Sequence, residues 1–131
     1  MIAIDSSALV AILRNEPDAL LFAEAIGAAD SAIVSAVNWF ETSMVLAGAS
    51  HRETVWLPLD ALLIRAKIAV IPLDTEQAGF ARAAFLKYGK GRHPAALNFG
   101  DCAAYALAKS RNIPLLFNGA DFAKTDIVSA L

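Results

Sequence analysis

The sequence predicts an α/β protein in which a mostly parallel sheet is covered by helices on its faces. Two observations carry this. Short apolar runs alternate with longer stretches of helical spacing along the whole chain, the pattern of βαβ crossovers. The chain has 131 residues, 57% of them apolar, enough for one self-supporting core, so residues 1–131 are expected to form a single domain.

Residues 1–5 (MIAID) are short, apolar and rich in β-branched side chains, and read as a buried strand ending in an acid. Ser6 or Ser7 can cap the helix that follows, with Leu9, Val10 and Leu13 on one face. Pro17 takes a first-turn position of a second helix, Asp18 lies near its start, and Leu20, Leu21, Ala23 and Ile26 carry it to Gly27. Residues 31–35 (SAIVS) form a second strand. Residues 38–49 return to helical spacing, with Gly48 near the end. A long helix is expected over 53–69, kinked or split by Pro58. Residues 70–73 (VIPL) are a third strand, and Asp74 or Thr75 caps a helix reaching Tyr88. Three glycines and a proline mark residues 89–100 (GKGRHPAALNFG) as a loop. An alanine-rich helix over 101–111 and a fourth strand over 113–117 (IPLLF) follow. Residues 127–131 make a last strand or a tail.

Bulk properties narrow the function classes. Net charge is −2, so binding to nucleic acid through overall positive charge is excluded, and any such contact uses a local patch or a metal. The single Cys102 has no partner for an internal disulfide, which fits a reducing compartment; it reads as a small core residue. The first ten residues (MIAIDSSALV) lack a basic region and a cleavage pattern, so no secretory leader is expected. Charges break every apolar stretch before the ~20 residues a membrane span needs, so no membrane partner is expected. A mean hydropathy of +0.52 points both to a well-buried sheet and to surface covered by a partner.

Four of the thirteen acids stand in apolar or glycine-rich surroundings rather than on charged helix faces: Asp5, Glu41, Asp101 and Asp121. Asp5 ends the first strand, Asp121 follows the fourth, and Asp101 opens a helix. Ligands in open α/β sheets bind beyond the carboxyl ends of the strands, so these three can face one edge. Within six residues of Glu41 or of Asp101 there is no Lys or Arg. Carboxylates that converge without cations repel one another, and a divalent ion supplies the missing charge. An all-oxygen set suits Mg²⁺ or Mn²⁺, and such a site suits phosphodiester hydrolysis by activated water, with one ion or with two ~3.5–4 Å apart. Each acid alone also has an ordinary structural use, as helix cap, first-turn acid, solvated helix residue or turn residue.

The segments IDSSALVAIL (4–13), SAVNWFET (35–42), LNFGDCAAYALAK (97–109) and PLLFNGADFAKTDI (114–127) resemble, in order and spacing, the PIN-domain toxins of the VapC type from prokaryotic toxin–antitoxin pairs. The resemblance covers essentially the whole chain. It implies a three-layer α/β/α PIN domain with a mainly parallel sheet of four or five strands. It also implies an endoribonuclease dependent on Mg²⁺ or Mn²⁺, cytoplasmic, homodimeric and held inactive by a cognate antitoxin. The family's four acids fall on Asp5, Glu41, Asp101 and Asp121, and its small polar residue on Ser6 or Ser7. Members often carry lysine where this chain has Asn118, and a polar residue at Ala120. Asn118 is a candidate supporting residue, in a loop that differs from the family's in charge.

Lys87, Lys90, Arg92 and His93 form one compact basic cluster just before Asp101. Lys90 and Arg92 are candidates for phosphate contact; a solvated loop is the plain alternative. His93 could act as a general acid, though activated water makes that unnecessary. Trp39, Phe40, Trp56 and Phe80 are expected in the core or an interface. The apolar helices over 17–29 and 36–49 could form a groove for an antitoxin segment. Two rival functions remain at this point. A phosphatase with a nucleophilic aspartate would show a second acid two residues after Asp5, where this chain has Ser7. A PIN fold that binds RNA or protein without cutting would have lost acids, and none is missing.

Overall fold

Four strands, β1 (Ile2–Ile4), β2 (Ala32–Ser35), β3 (Ile68–Ile71) and β4 (Leu115–Leu116), make one wholly parallel sheet in the order β3-β2-β1-β4. The structure is a computed structural model and describes residues 1–131. Six α-helices flank the sheet: α1 (Ser6–Leu13), α2 (Ala19–Ala28), α3 (Ala36–Ala47), α4 (Leu57–Arg65), α5 (Thr75–Tyr88) and α6 (Phe99–Arg111). Short 3₁₀ turns lie at Glu53–Trp56 and Phe122–Lys124.

The two-residue period of the strands sorts their side chains into two cores. Ile2, Ile4, Val34 and Leu116 face α1, α2 and α4, packing with Leu9, Phe22 and Leu59. Ala3, Ile33 and Leu115 face the opposite way, onto α5 and α6, with Tyr88, Tyr105 and Leu107. Three layers follow directly, because a sheet that is apolar on both faces needs cover on both.

Several boundaries differ from the sequence reading, each for a local reason. The expected helix over 53–69 starts as a 3₁₀ turn and becomes α-helical at Leu57, with Pro58 tolerated in its first turn. It stops at Arg65 because Lys67 adopts a left-handed conformation, φ +54°. That frees residues 68–71 for β3, and Pro72, which has no N–H to donate, ends the strand two residues earlier than expected. Pro17 lies ahead of α2, whose N-cap is Asp18. Helix α3 begins two residues early, at Ala36, because the Ser35 hydroxyl caps it by accepting the Val37 N–H at 3.2 Å. Helix α6 begins at Phe99, with Asn98 as its N-cap, so Asp101 is its third residue rather than its opening one. Residues 127–131 are a tail that touches the sheet through a single parallel bridge, Leu115 to Ser129.

The strand order places the chain reversal between β1 and β4: the chain steps from β1 through β2 to β3 in one direction, then crosses back to lay β4 on the other side of β1. A cleft opens at the carboxyl edge of such a pair. Helix α3 packs against both α1 and α6, bringing residues after β2 to the same edge.

Candidate active site

Asp5 is the residue immediately beyond β1. Its N–H donates to the Leu116 carbonyl at 2.9 Å, so it stands at the β1–β4 junction, and it is 2% exposed. It also caps α1: Oδ2 accepts the Ser7 N–H at 3.0 Å. Its other oxygen, Oδ1, is buried with no hydrogen-bond partner. Burial pushes the carboxyl up to about 7; hydrogen bonding from Ser7 opposes this, and the charges of Asp101 and Glu41 reinforce it.

Glu41 comes from the middle of α3 and is half-buried. The Ser6 hydroxyl donates to its Oε1, and Asn38 Nδ2 donates to the same oxygen at 3.4 Å. Asp101 sits in the first turn of α6 within a reciprocal cap. The Asn98 side chain accepts the Asp101 N–H at 2.9 Å, and Asp101 Oδ2 accepts the Asn98 N–H at 3.0 Å. Oδ1 of Asp101 stays free of the cap. Burial raises the Asp101 carboxyl above its ordinary value; the Asn98 bond works against this, and Glu41 and Asp121 add to it. Asp121 is exposed at the head of the last 3₁₀ turn and is felt by Asp101. The four acids therefore share one electrostatic neighbourhood. No cation balances it, for the one ion pair in the chain joins Lys109 to Asp126 elsewhere, at 2.9 Å.

As they stand, no three His, Cys, Asp or Glu side chains converge into a ready-made metal cage. In the metal-free protein the Ser6 hydroxyl and Asn38 Nδ2 hold one oxygen of Glu41, and one oxygen of Asp101 is turned back on its own helix cap. The donor chemistry nonetheless fits a hard divalent cation. All four groups are carboxylates, none has a counter-charge, and Asp5 Oδ1 is a buried acceptor that lacks a partner.

The sequence matches the PIN domain family over residues 2–128. It is 46% identical over 126 residues to ribonuclease VapC30 of Mycobacterium tuberculosis, covering 96% of this chain and 95% of that one. It is 45% identical over 126 residues to ribonuclease VapC of Mycolicibacterium smegmatis, covering 96% and 97%. The chain is a PIN-domain protein of the VapC ribonuclease family. The crystal structure of Mycobacterium tuberculosis VapC20, described as a toxin cleaving the sarcin–ricin loop, shares the fold with a TM-score of 0.74 at 16% identity, over 98% of this chain and 97% of that one. VapBC2 of Rickettsia felis, solved with a fragment of promoter DNA, shares it with a TM-score of 0.75 at 17% identity, over 98% and 96%.

The residues expected to support the site each make a specific bond in this PIN domain. Ser6 holds Glu41. Ser7 Oγ accepts the Asn118 N–H at 2.9 Å, fastening the loop after β4 to α1. Asn118 Nδ2 donates to Glu16 at 3.3 Å, a contact across 102 residues that the sequence does not announce. Lys90 and Arg92 are exposed on the 89–97 turn, which the backbone closes by pairing Lys90 with Leu97 at 3.0 Å; the Arg92 guanidinium lies 5.4 Å from the Phe85 ring centre. His93 is spent locally: Nδ1 accepts the Ala95 N–H at 3.0 Å and the ring meets Tyr88 edge-on. Cys102 is buried, with burial and the Asp101 charge pushing its thiol up to about 11, so it is inert. Of the two places expected for the aromatics, core or interface, the core does not hold Trp39, Phe40 or Phe80. Trp39, Phe40 and Phe80 are exposed, and Trp56 is half-buried with Nε1 bonded to the Ser43 carbonyl at 2.8 Å. Two residues at the site went unremarked in the sequence, Asn38 and Gly100. The signal for Asn38 was its place three residues before Glu41, on the same helical face.

Proposed function

We propose that residues 1–131 act as one PIN domain that hydrolyses RNA phosphodiester bonds, with Asp5, Glu41, Asp101 and Asp121 holding Mg²⁺ or Mn²⁺. The observation that carries this is the electrostatic one: four neighbouring carboxylates without a counter-charge, one with a buried oxygen that bonds nothing. The chemistry supplied by a divalent ion there is activation of water and neutralisation of charge building on the phosphodiester. Asp5, Glu41 and Asp101 fix one position. Asp121, on the exposed rim, completes it or serves a second. Ser6 orients Glu41, while Ser7 and Asn118 hold the rim loop against α1. Lys90 and Arg92 offer phosphate contacts on the approach.

The relatives' names support a ribonuclease, and the solved neighbours include toxin–antitoxin assemblies from Klebsiella pneumoniae and Rickettsia felis. Accordingly we read this chain as a toxin neutralised by a cognate antitoxin, homodimeric and cytoplasmic. No helix is long and apolar enough to cross a membrane. Purified protein should cleave structured RNA with Mg²⁺ or Mn²⁺ and stop on addition of EDTA, with Asp5→Ala silent throughout. Cleavage unchanged in EDTA, with the variant still silent, rejects the metal reading. Silence under every condition leaves a non-cleaving RNA- or protein-binding domain.

A further inference from the structure

Asn38 is polar, 0% exposed, and lies at the seam between α3 and α6. Its Nδ2 donates to the Gly100 carbonyl at 3.0 Å, a buried bond across 62 residues, and also to Glu41 Oε1. Its Oδ1 is buried and bonds nothing. An orphaned buried acceptor is costly, and a side chain that carries one is held there by something else. The amide cannot relieve it by turning over, because Oδ1 would then face two acceptors, the Gly100 carbonyl and the Glu41 carboxylate.

Gly100 completes the arrangement. It is buried in the first turn of α6, where glycine is a poor helix former. A Cβ on residue 100 would lie 2.2 Å from Glu41 Oε2 and 2.5 Å from its Cδ, inside any permitted contact. The Glu41 carboxylate thus occupies the space that the missing side chain leaves. One of its oxygens takes the bonds from Ser6 and Asn38, and the other lies over Gly100.

We propose that Asn38 and Gly100 are positioning residues that together seat the Glu41 carboxylate beside Asp101, which follows Gly100 directly in α6. Asn38 ties α3 to the first turn of α6 and supplies a donor to the carboxylate. Gly100 leaves the room that lets the carboxylate approach the helix. The pair sets the spacing between two acids that come from different helices, with neither residue touching substrate. This inference rests on the reading of Glu41 and Asp101 as ligands of a divalent ion.

The two substitutions separate positioning from folding. Gly100→Ala collides only with the far end of a flexible side chain, so Glu41 swings away and the fold stays; alanine also suits the helix better. Metal-free Gly100→Ala is expected to melt at or above the wild-type temperature, yet bind Mn²⁺ at least tenfold more weakly by calorimetry. Its kcat for RNA cleavage should fall at least tenfold at saturating metal concentrations that restore binding, with KM within threefold. Asn38→Ala should show the same Mn²⁺ and kcat losses, with a lower metal-free melting temperature. A merely structural role would move the melting temperatures and leave Mn²⁺ affinity and kcat unchanged. If wild type binds Mn²⁺ and Gly100→Ala binds it equally well, the seat is rejected while the metal site stands, even should Asn38→Ala fail to fold. If wild type binds no Mn²⁺, the metal site itself is rejected and the seat with it.

Discussion

Asp5 shows how one residue can serve the fold and the chemistry with different atoms. Its Oδ2 caps α1, and its Oδ1 is left in a buried position without a partner. Burial holds the folded carboxyl near 7, above its ordinary 3.8. Between those values the folded chain keeps a proton that the unfolded chain has lost. Stability of the metal-free protein is therefore full below the lower value, falls as pH rises through the window, and is flat above it. Across the whole window the loss is about 4 kcal/mol, at ~1.4 kcal/mol per pH unit. Denaturant melts in EDTA at pH 5 and pH 8 should show the lower stability at pH 8, and Asp5→Asn should remove the difference. Ionised Asp5 is also what a cation needs, so stabilisation by Mn²⁺ should be larger at pH 8 than at pH 6. Equal melts at both pH values for the metal-free wild type would place the Asp5 carboxyl outside this window.

At the scale of elements, the start of α6 carries the heaviest load. Within four residues it holds the cap Asn98, the cleared space at Gly100 and the acid Asp101. Asn98→Ala removes the acceptor for the Asp101 N–H and should cost ~1 kcal/mol of stability. It leaves the carboxylate in place, so cleavage should fall far less than with Asp101→Asn; side-by-side melts and RNA assays check this, and an equal loss of cleavage would show that the cap itself orients the acid. The same element shows what was legible beforehand. The strand–helix alternation and the four acids could be read because burial and charge leave patterns in composition. The junction at 98–101 could not, since a capping box and a helix with Asp101 at its start look alike in the run LNFGD. Strand β3 was displaced for a similar reason: nothing in the sequence marks Lys67 as left-handed, although Pro72 does signal where a strand must end. Contacts such as Asn38 with Gly100 or Asn118 with Glu16 join distant segments and leave no periodic trace at all.

At the scale of the whole molecule, the apolar surface is large for a free-standing chain. Leu20 on α2 is 70% exposed, Ile64 on α4 is 78% exposed and Phe99 on α6 is 81% exposed. An apolar cleft of about 480 Å³, walled by Val37, Phe85, Phe99 and Cys102, opens where α3, α5 and α6 meet. The homodimer proposed above predicts a light-scattering mass of two chains at micromolar concentration, with Phe99→Asp shifting it toward one. A single-chain mass for wild type across that range would contradict the dimer. The central claim, that four acids gathered from four segments of the chain hold one divalent-ion site, is tested most directly by titrating Mn²⁺ calorimetrically into wild type and Asp101→Asn at pH 7.5. The account predicts saturable binding with proton release in wild type, and at least tenfold weaker binding in the variant, whose metal-free melting temperature is equal or higher because a repelled charge is gone. Equal Mn²⁺ affinity in the two proteins would contradict it.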